Sequence, residues 1–301
     1  MKLIQWTFFI DMLGYREING GINSEEKAEE FVKFMLGNKG LFEQTDSDYI
    51  RGIYKRDKNF DFYKFYDIKY AFVSDSLIIT YYPKEVDENI DQVIYYNHSA
   101  NALFIAVMRM QAFIYHCFKE KGIFLRGGIS NKYCYIKDGF VVGEGLIEAY
   151  KAESSLAINP RILLDPSVMK NHRIARGIKF ISEGMYGGKS VICRDNDGNH
   201  FVDYIGYSIA CVDCSIPMIN SFKNSNPTKY WLARASVQDF IDDHRKVVDE
   251  KIIELDKNIQ SIKLVDGNAQ QLEKIKEKYV WLKKYHNLKI KGTDFSYLSI
   301  K

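Results

Sequence analysis

The chain has 301 residues, of which 46% are hydrophobic, so it can bury a full core and does not have the composition of a disordered protein. Its 42 basic and 39 acidic residues give a net charge of +3, which provides no general reason to expect a nucleic-acid or membrane partner. The five scattered cysteines predict no disulfide framework, and the chain shows neither a signal-peptide pattern nor a membrane-spanning apolar run, so we expect a cytoplasmic location.

Strand and helix signals alternate through the first 165 residues. In chain order they predict a strand (3–10), a helix (24–36), a hairpin (62–73 and 76–82), a long helix (91–119), a strand (123–129), a partner for that strand (133–142), a second helix (143–156) and a short strand (161–164). This order predicts an α/β fold, specifically an α+β sandwich of the ferredoxin-like kind with one mostly antiparallel sheet.

The rest of the chain changes in character. Residues 165–235 carry signals for short strands and loops. Residues 236–285 are rich in charge, have spaced apolar positions and are interrupted near 266–268, which predicts a helical hairpin. We therefore expect a main domain over 1–235, with its core in 1–165, and a helical extension over 236–301 that serves docking or dimerisation.

Two aspartates lie where the predicted strands end. Asp11 follows an apolar strand, where a charge is costly unless it is paired, hydrated or bound to metal. Asp75 lies at the tip of the predicted hairpin, and if that hairpin adjoins the first strand the two carboxylates converge on a site for divalent cations. Gly14 would then let backbone amides approach phosphate oxygens. The residues alone leave open that Asp11 caps a helix and Asp75 is an ordinary turn residue.

Four motifs resemble those of class III nucleotidyl cyclases, in the same order and spacing over residues 3–164. They are FFIDMLG at 8–14, VSDS at 73–76, LRGGI at 125–129 and GEGLIEAYKAE at 143–153. The resemblance implies that Asp11 and Asp75 bind two Mg²⁺ or Mn²⁺ ions, with the Met12 backbone carbonyl as a candidate further ligand. It also implies that Arg126 binds phosphate or stabilises a dimer, whereas the alternative is a simple ion pair at a strand end.

The residues by which purine cyclases of this class recognise their base are absent. The purine-selecting Lys and Asp positions hold Ala71 and Phe140, and the helix Asn position holds Ile147. The position of the transition-state Arg holds Lys151. This lysine either contacts the triphosphate or is an exposed helix residue, because an ammonium lacks the fork with which arginine binds phosphate.

The helix motif and the following Pro160-Arg161-Ile162 are most similar to the bacterial anti-phage cyclic pyrimidine (Pycsar) cyclases. Members of that family convert UTP or CTP to the 3′,5′-cyclic monophosphate, act as homodimers, and signal to a separate effector protein. The resemblance implies a uridylate cyclase, with CTP as the second choice, and a base pocket that includes Tyr70, Phe72 and Phe140. The alternatives are an ATP or GTP cyclase and a catalytically silent nucleotide-binding dimerisation module.

Overall fold

The computed structural model describes residues 2–43, 62–73, 76–86, 91–186, 191–263 and 268–301. Its strands are β1 (Trp6–Leu13), β2 (Tyr66–Val73), β3 (Ser76–Pro83), β4 (Phe124–Ser130), β5 (Tyr135–Lys137), β6 (Phe140–Val142), β7 (Ile162–Leu164), β8 (Ile192–Arg194) and β9 (His200–Val202). Its helices are α1 (Tyr15–Gly20), α2 (Glu25–Glu43), α3 (Phe62–Phe65), α4 (Gln92–Lys121), α5 (Glu144–Lys151), α6 (Pro166–Lys170), α7 (His172–Tyr186), α8 (Tyr204–Ala210), α9 (Pro217–Ser225), α10 (Pro227–Lys263) and α11 (Gln270–Ile290). A π-helical turn (Ala152–Leu156) follows α5, and a 3₁₀ turn (Ser296–Leu298) follows α11.

Within the described ranges, seven strands form one sheet in the order β2-β3-β1-β4-β7-β9-β8. Neighbouring strands are antiparallel except β4 and β7, which are parallel. The prediction of an α/β fold with a mostly antiparallel sheet is therefore confirmed. The sheet places the first strand, β1, between β3 and β4, so that the motifs at 8–14, 73–76 and 125–129 come together.

The core lies between the sheet and α4. Trp6, Phe8 and Ile10 of β1 alternate along the strand and are fully buried, and the Trp6 indole nitrogen donates a 2.8 Å hydrogen bond to the carbonyl oxygen of Ser99 on α4. Helix α4 begins where the Asp91 carboxylate accepts hydrogen bonds from two backbone N–H groups, and it ends at Gly122 in the left-handed conformation. These boundaries agree within two residues with the helix predicted over 91–119.

Residues 133–142 are not the partner of β4, which is where the sequence interpretation was wrong. The strands β5 and β6 pair with each other in a small separate sheet. Asp138 and Gly139, which connect them, both have positive φ, of 50° and 82°. An Asp-Gly pair in this conformation is typical of a tight hairpin turn, so β6 pairs with β5 and neither strand pairs with β4.

The stretch 165–235 is mainly helical rather than a mixture of strands and loops. Helices α6, α9 and α10 each begin with a proline, namely Pro166, Pro217 and Pro227. Proline is well suited to the first helical position because its fixed φ matches the helix and its missing N–H has no partner there. Consequently α10 begins at Pro227, ahead of the predicted start at 236.

Helices α10 and α11 form the predicted hairpin, and the hairpin packs on the sheet domain. The Phe240 ring lies 5.0 Å from the Tyr115 ring and 5.5 Å from the Phe118 ring of α4, measured between centroids. One cluster of buried apolar side chains runs from Leu3 to Ile300, so the hairpin and the sheet share a core. No helix in the described ranges has the length and apolar character needed to cross a membrane.

Two stacked histidines connect the two helices of the hairpin. His244 of α10 and His286 of α11 are fully buried, and their Nδ1 atoms lie 3.2 Å apart. The Nε2 of His286 lies 2.9 Å from the carbonyl oxygen of Leu298, and the Nε2 of His244 lies 2.9 Å from the Tyr204 hydroxyl. Two neutral imidazoles satisfy these hydrogen bonds. His286 donates through Nε2 to the Leu298 carbonyl oxygen and accepts through Nδ1 from His244, while His244 accepts through Nε2 from the Tyr204 hydroxyl. Burial lowers the pKa of both histidines.

We expect the free energy of unfolding to fall as the pH drops below 6.5, the ordinary histidine pKa. The unfolded chain binds protons there while the buried pair stays neutral, so this stabilisation is complete above pH 6.5 and is lost as the pH decreases. Each histidine contributes at most about 1.4 kcal/mol per pH unit. Urea unfolding across this range should show a flatter pH profile for the double variant His244→Gln/His286→Gln, whereas the exposed control His172→Gln should keep the wild-type profile. A double variant with the wild-type profile would contradict this assignment.

Candidate active site

The centre of the candidate site is an ion pair between neighbouring strands. The β1–β4 register places Asp11 opposite Arg126, and the Arg126 Nη2 donates a 2.8 Å hydrogen bond to Asp11 Oδ2. Strand β1 continues through Asp11 to Leu13, so the aspartate lies within the strand rather than at its end. Helix α1 is preceded by Gly14 at the cap position with no side-chain cap, which excludes Asp11 as its N-cap.

A second carboxylate shares the same guanidinium. Glu153 Oε1 lies 2.6 Å from Arg126 Nη2, and the Glu153 side chain is only 3% exposed. Glu153 belongs to the π-helical turn, in which the Ala157 N–H donates to the carbonyl oxygen of Ala152 five residues earlier. Such turns are often found at functional sites. Arg126 therefore joins β1, β4 and this turn, and the ion pair considered as its alternative role is present.

Glycines bring α5 into close contact with the sheet. A Cβ on Gly128 of β4 would collide with the carbonyl oxygen of Ala149, and one on Gly145 would collide with the carbonyl oxygen of Lys132. The close approach also lets the Ser130 hydroxyl donate a 2.8 Å hydrogen bond to Glu148. These contacts explain the small residues within two of the four motifs, because a side chain at either glycine would push α5 away from the strand that carries Arg126.

The hairpin of β2 and β3 lies beside β1, as predicted. Ser76, the residue after Asp75 in sequence, pairs with Asp11 in the β1–β3 register and with Val73 in the β2–β3 register. Asp75 itself lies outside the described residues, so its role as a metal ligand stays a prediction.

The Asp11 carboxylate is one candidate ligand for a hard divalent cation. Asp11 is partly exposed, and its carboxylate offers the kind of oxygen ligand that Mg²⁺ and Mn²⁺ prefer. Met12 lies one step beyond the last described β1–β3 pair, and its side chain is buried, so only its backbone carbonyl is a candidate ligand. Among the described residues there is no cluster of three or more His, Cys, Asp or Glu side chains that could hold a metal ion. A metal centre here therefore depends on Asp75.

The turn between β1 and α1 is open. Gly14 has a φ of +90°, a conformation that favours glycine, and the space around it would accept a Cβ without contact. The backbone after Asp11 is thus exposed at this turn, and the approach of phosphate oxygens to its amides stays a prediction.

An apolar cavity of about 770 Å³ adjoins the site on the face of β1 that carries Phe9. It is lined by Phe9, Val73, Ser76, Ile78, Gly139, Phe140, Val141, Leu146, Ile147, Tyr150 and Lys151. Phe140, Ile147 and Tyr150 are strongly exposed, at 76%, 53% and 51%. The cavity therefore brings together Phe140 and Lys151 from the predicted set.

Tyr70 and Phe72 do not line this cavity. Strand alternation places Ala71 on the cavity side, where it packs with Ile78, whereas Tyr70 packs against the main core on the opposite face of the sheet. The Phe72 ring lies 6.1 Å from the Tyr70 ring on that same opposite face. Of the three residues predicted for the base pocket, this cavity therefore contains Phe140, whereas Tyr70 and Phe72 lie on the opposite face of the sheet.

No protein-family model matches this chain, and no curated protein is significantly similar to it in sequence. The site therefore has to be interpreted from its own geometry.

We expect Gly128→Ala to lower the free energy of unfolding by about 2–3 kcal/mol, because the added methyl group forces α5 away from β4. The matched control is Gly37→Ala in α2, where a Cβ meets nothing and alanine favours the helix by up to about 1 kcal/mol. Urea unfolding of both variants measures the difference. A Gly128→Ala protein as stable as the wild type would show that α5 does not need this contact.

Proposed function

We propose that this protein is a two-metal nucleotidyl cyclase of the class III type that converts UTP, or secondarily CTP, to the 3′,5′-cyclic monophosphate and pyrophosphate. The observation that carries the proposal is the strand register, in which the neighbour of Asp75 in sequence pairs with Asp11. Two converging aspartates, as the sequence predicts for Asp11 and Asp75, are the kind of ligand pair that two-metal phosphoryl transfer requires. The motif order of the class III cyclases supports the same interpretation.

In the proposed reaction the ribose 3′-oxygen attacks the α-phosphorus in line. The O3′–P bond forms, the bond from the α-phosphorus to the bridging oxygen of the leaving pyrophosphate breaks, and the proton of the 3′-hydroxyl passes to water. Two Mg²⁺ or Mn²⁺ ions bound by Asp11 and Asp75 would lower the pKa of that hydroxyl and neutralise the leaving pyrophosphate. Arg126 orients the Asp11 carboxylate through their 2.8 Å contact, and its partly exposed guanidinium is within reach of a phosphate oxygen.

The apolar cavity supports binding of a pyrimidine base and of a second copy of the chain. Its lining places Phe140 and Tyr150 where an aromatic base can stack, and Ala71 and Phe140 offer no side-chain hydrogen bond to a purine edge. A contiguous exposed apolar face beside a site is typical of an interface. We therefore propose a symmetric homodimer in which this face is covered and each site is completed by the partner, with Lys151 near the triphosphate.

The proposed biological role is second-messenger synthesis in anti-phage defence, with the cyclic product acting on a separate effector protein. The similarity of residues 143–162 to the Pycsar cyclases supports this role.

The reaction is tested by incubating the purified protein and Mn²⁺ with ATP, GTP, CTP and UTP separately, and identifying products by mass spectrometry. We expect cyclic UMP from UTP and a loss of at least about 100-fold in rate for Asp11→Asn and for Asp75→Asn, because each removes a charged metal ligand. The exposed control Asp239→Asn on α10 should retain wild-type activity.

Each other product has a definite meaning. A cyclic purine product would keep the mechanism and refute pyrimidine selection. If the folded protein binds nucleotides but does not turn them over, the better interpretation is a catalytically silent nucleotide-binding module.

The dimer is tested by placing a charge on the exposed apolar face. Phe140→Asp and Ile147→Asp should convert a dimer to a monomer in analytical ultracentrifugation and lower cyclase activity at least about tenfold, because a buried unpaired carboxylate opposes association. The control Phe180→Asp changes an equally exposed aromatic residue on α7. If Phe180→Asp dissociates the dimer and the other two do not, the interface lies on α7.

A further inference from the structure

Helix α11 of the C-terminal hairpin passes the end of the sheet that carries the candidate site. The Tyr279 ring lies 5.8 Å from the ring of Phe124, the first residue of β4, and Phe124 pairs with Leu13 of β1. Tyr279 also lines a cavity of about 330 Å³ together with Leu13 and Gly14. The hairpin thus reaches the turn that follows Asp11, on the side of the site away from the apolar cavity.

Lys278 is a cation on the inward face of this helix. It precedes the fully buried Leu282 by four residues and the buried Tyr285 by seven, so the three share one helical face. A lysine on the buried stripe of a helix is costly unless its charge is used. The Lys278 ammonium interacts electrostatically with Arg126, Asp11 and Glu153, although no described carboxylate lies within 4.0 Å of it.

The environment of Lys278 is partly dehydrated. Burial, and then the Arg126 guanidinium, lower its pKa, while Asp11 and Glu153 act in the opposite direction. Lys289 lies further along the same face and provides a comparison: its ammonium is 2.5 Å from the Asp203 carboxylate, and its pKa is raised. Lys278 therefore lacks the direct partner that Lys289 has within the described residues.

The lysines that line the smaller cavity are all paired with carboxylates. Lys119 pairs with Asp243 at 3.5 Å, Lys121 with Glu30 at 2.8 Å and Lys251 with Glu254 at 3.0 Å. Each of these cations has its charge balanced by an acid on the protein. The acids with which Lys278 interacts electrostatically are Asp11 and Glu153, and both already form ion pairs with Arg126.

On the basis of the proposed cyclase function, we propose that Lys278 binds the β- and γ-phosphates of the nucleoside triphosphate, so that the C-terminal hairpin supplies a substrate-binding cation to the site of its own chain. A triphosphate with its metal ions brings anionic oxygens to the end of β1, and a partly dehydrated ammonium there forms strong charge-assisted hydrogen bonds. Lys151 lines the apolar cavity on the opposite side, where the base and the second subunit are proposed to bind. Lys151, proposed above to lie near the triphosphate, and Lys278 then approach the triphosphate from different elements of the fold.

Binding of two nucleotides that cannot be cyclised separates the phosphate contact from a structural role. Calorimetry with Mn²⁺ would compare 3′-deoxy-UTP, which has all three phosphates, with UMP, which lacks the β- and γ-phosphates. We expect Lys278→Ala to weaken 3′-deoxy-UTP binding about tenfold and to change UMP binding less than about twofold. Lys278→Arg should restore most of the affinity, and the exposed control Lys274→Ala on the same helix should bind both nucleotides like the wild type.

Steady-state kinetics provide the second measurement. Lys278→Ala should raise the KM for UTP about tenfold with a smaller change in kcat, because the contact is made to bound substrate as well as in the transition state. Unchanged 3′-deoxy-UTP binding, or an equal loss for both nucleotides, would overturn the assignment of Lys278. If the wild-type protein binds 3′-deoxy-UTP but forms no cyclic product, the proposed cyclase activity is refuted. The binding comparison still decides the role of Lys278, so the two failures are distinguishable.

Discussion

The Arg126 guanidinium is the interaction on which the candidate site depends. Asp11 and Glu153 both contact its Nη2, at 2.8 Å and 2.6 Å. Without a cation between them, these two carboxylates would repel each other. Arg126 removes that repulsion, and because its two partners come from β1 and from the turn after α5, it also fixes the position of α5 relative to the sheet.

The topology gives the site two different sides. On one side, β3, β6 and α5 border the apolar cavity, whose exposed aromatic and aliphatic residues are proposed to contact the base and a second subunit. On the other side, Gly14 and Tyr279 of α11 line the smaller cavity, and Lys278 precedes Tyr279 on that helix. The apolar lining on one side and Lys278 on the other would suit the two ends of the proposed substrate, since a nucleotide has a flat base at one end and a chain of charged phosphates at the other.

Much of this arrangement could be predicted from sequence because it depends on local patterns. The alternation in β1, the spacing in α4 and the β2–β3 hairpin each follow from the order of apolar and polar residues. Strand alternation alone also separates Tyr70 and Phe72 from the face that holds Ala71, so sequence predicts that these two residues lie on the other face of the sheet. The Asp138-Gly139 pair also predicts a tight hairpin turn, and hence a separate hairpin, from sequence alone.

Other features could not be predicted because they depend on contacts between distant parts of the chain. Glu153 lay within a recognised motif, but its contact with Arg126 requires the π-helical turn, which no local pattern indicates. Lys278 lies in a charge-rich helix where most lysines face solvent. The packing of Tyr279 against Phe124 brings this part of the helix to the end of β4, and the electrostatic interaction of Lys278 with Asp11, Arg126 and Glu153 places it near the site.

The central position of β1 has a consequence for how the chain acquires its structure. This apolar strand is made early, but Asp11 and its partner Arg126 are 115 residues apart in sequence. At a synthesis rate of about 5–20 residues per second, the strand waits on the order of ten seconds before β4 leaves the ribosome. Pairings of such long range also form slowly after synthesis. The edge of Trp6–Leu13 that pairs with β4 therefore stays open to aggregation or to chaperone binding throughout that interval, and the rate at which β4 arrives limits how fast the site can assemble.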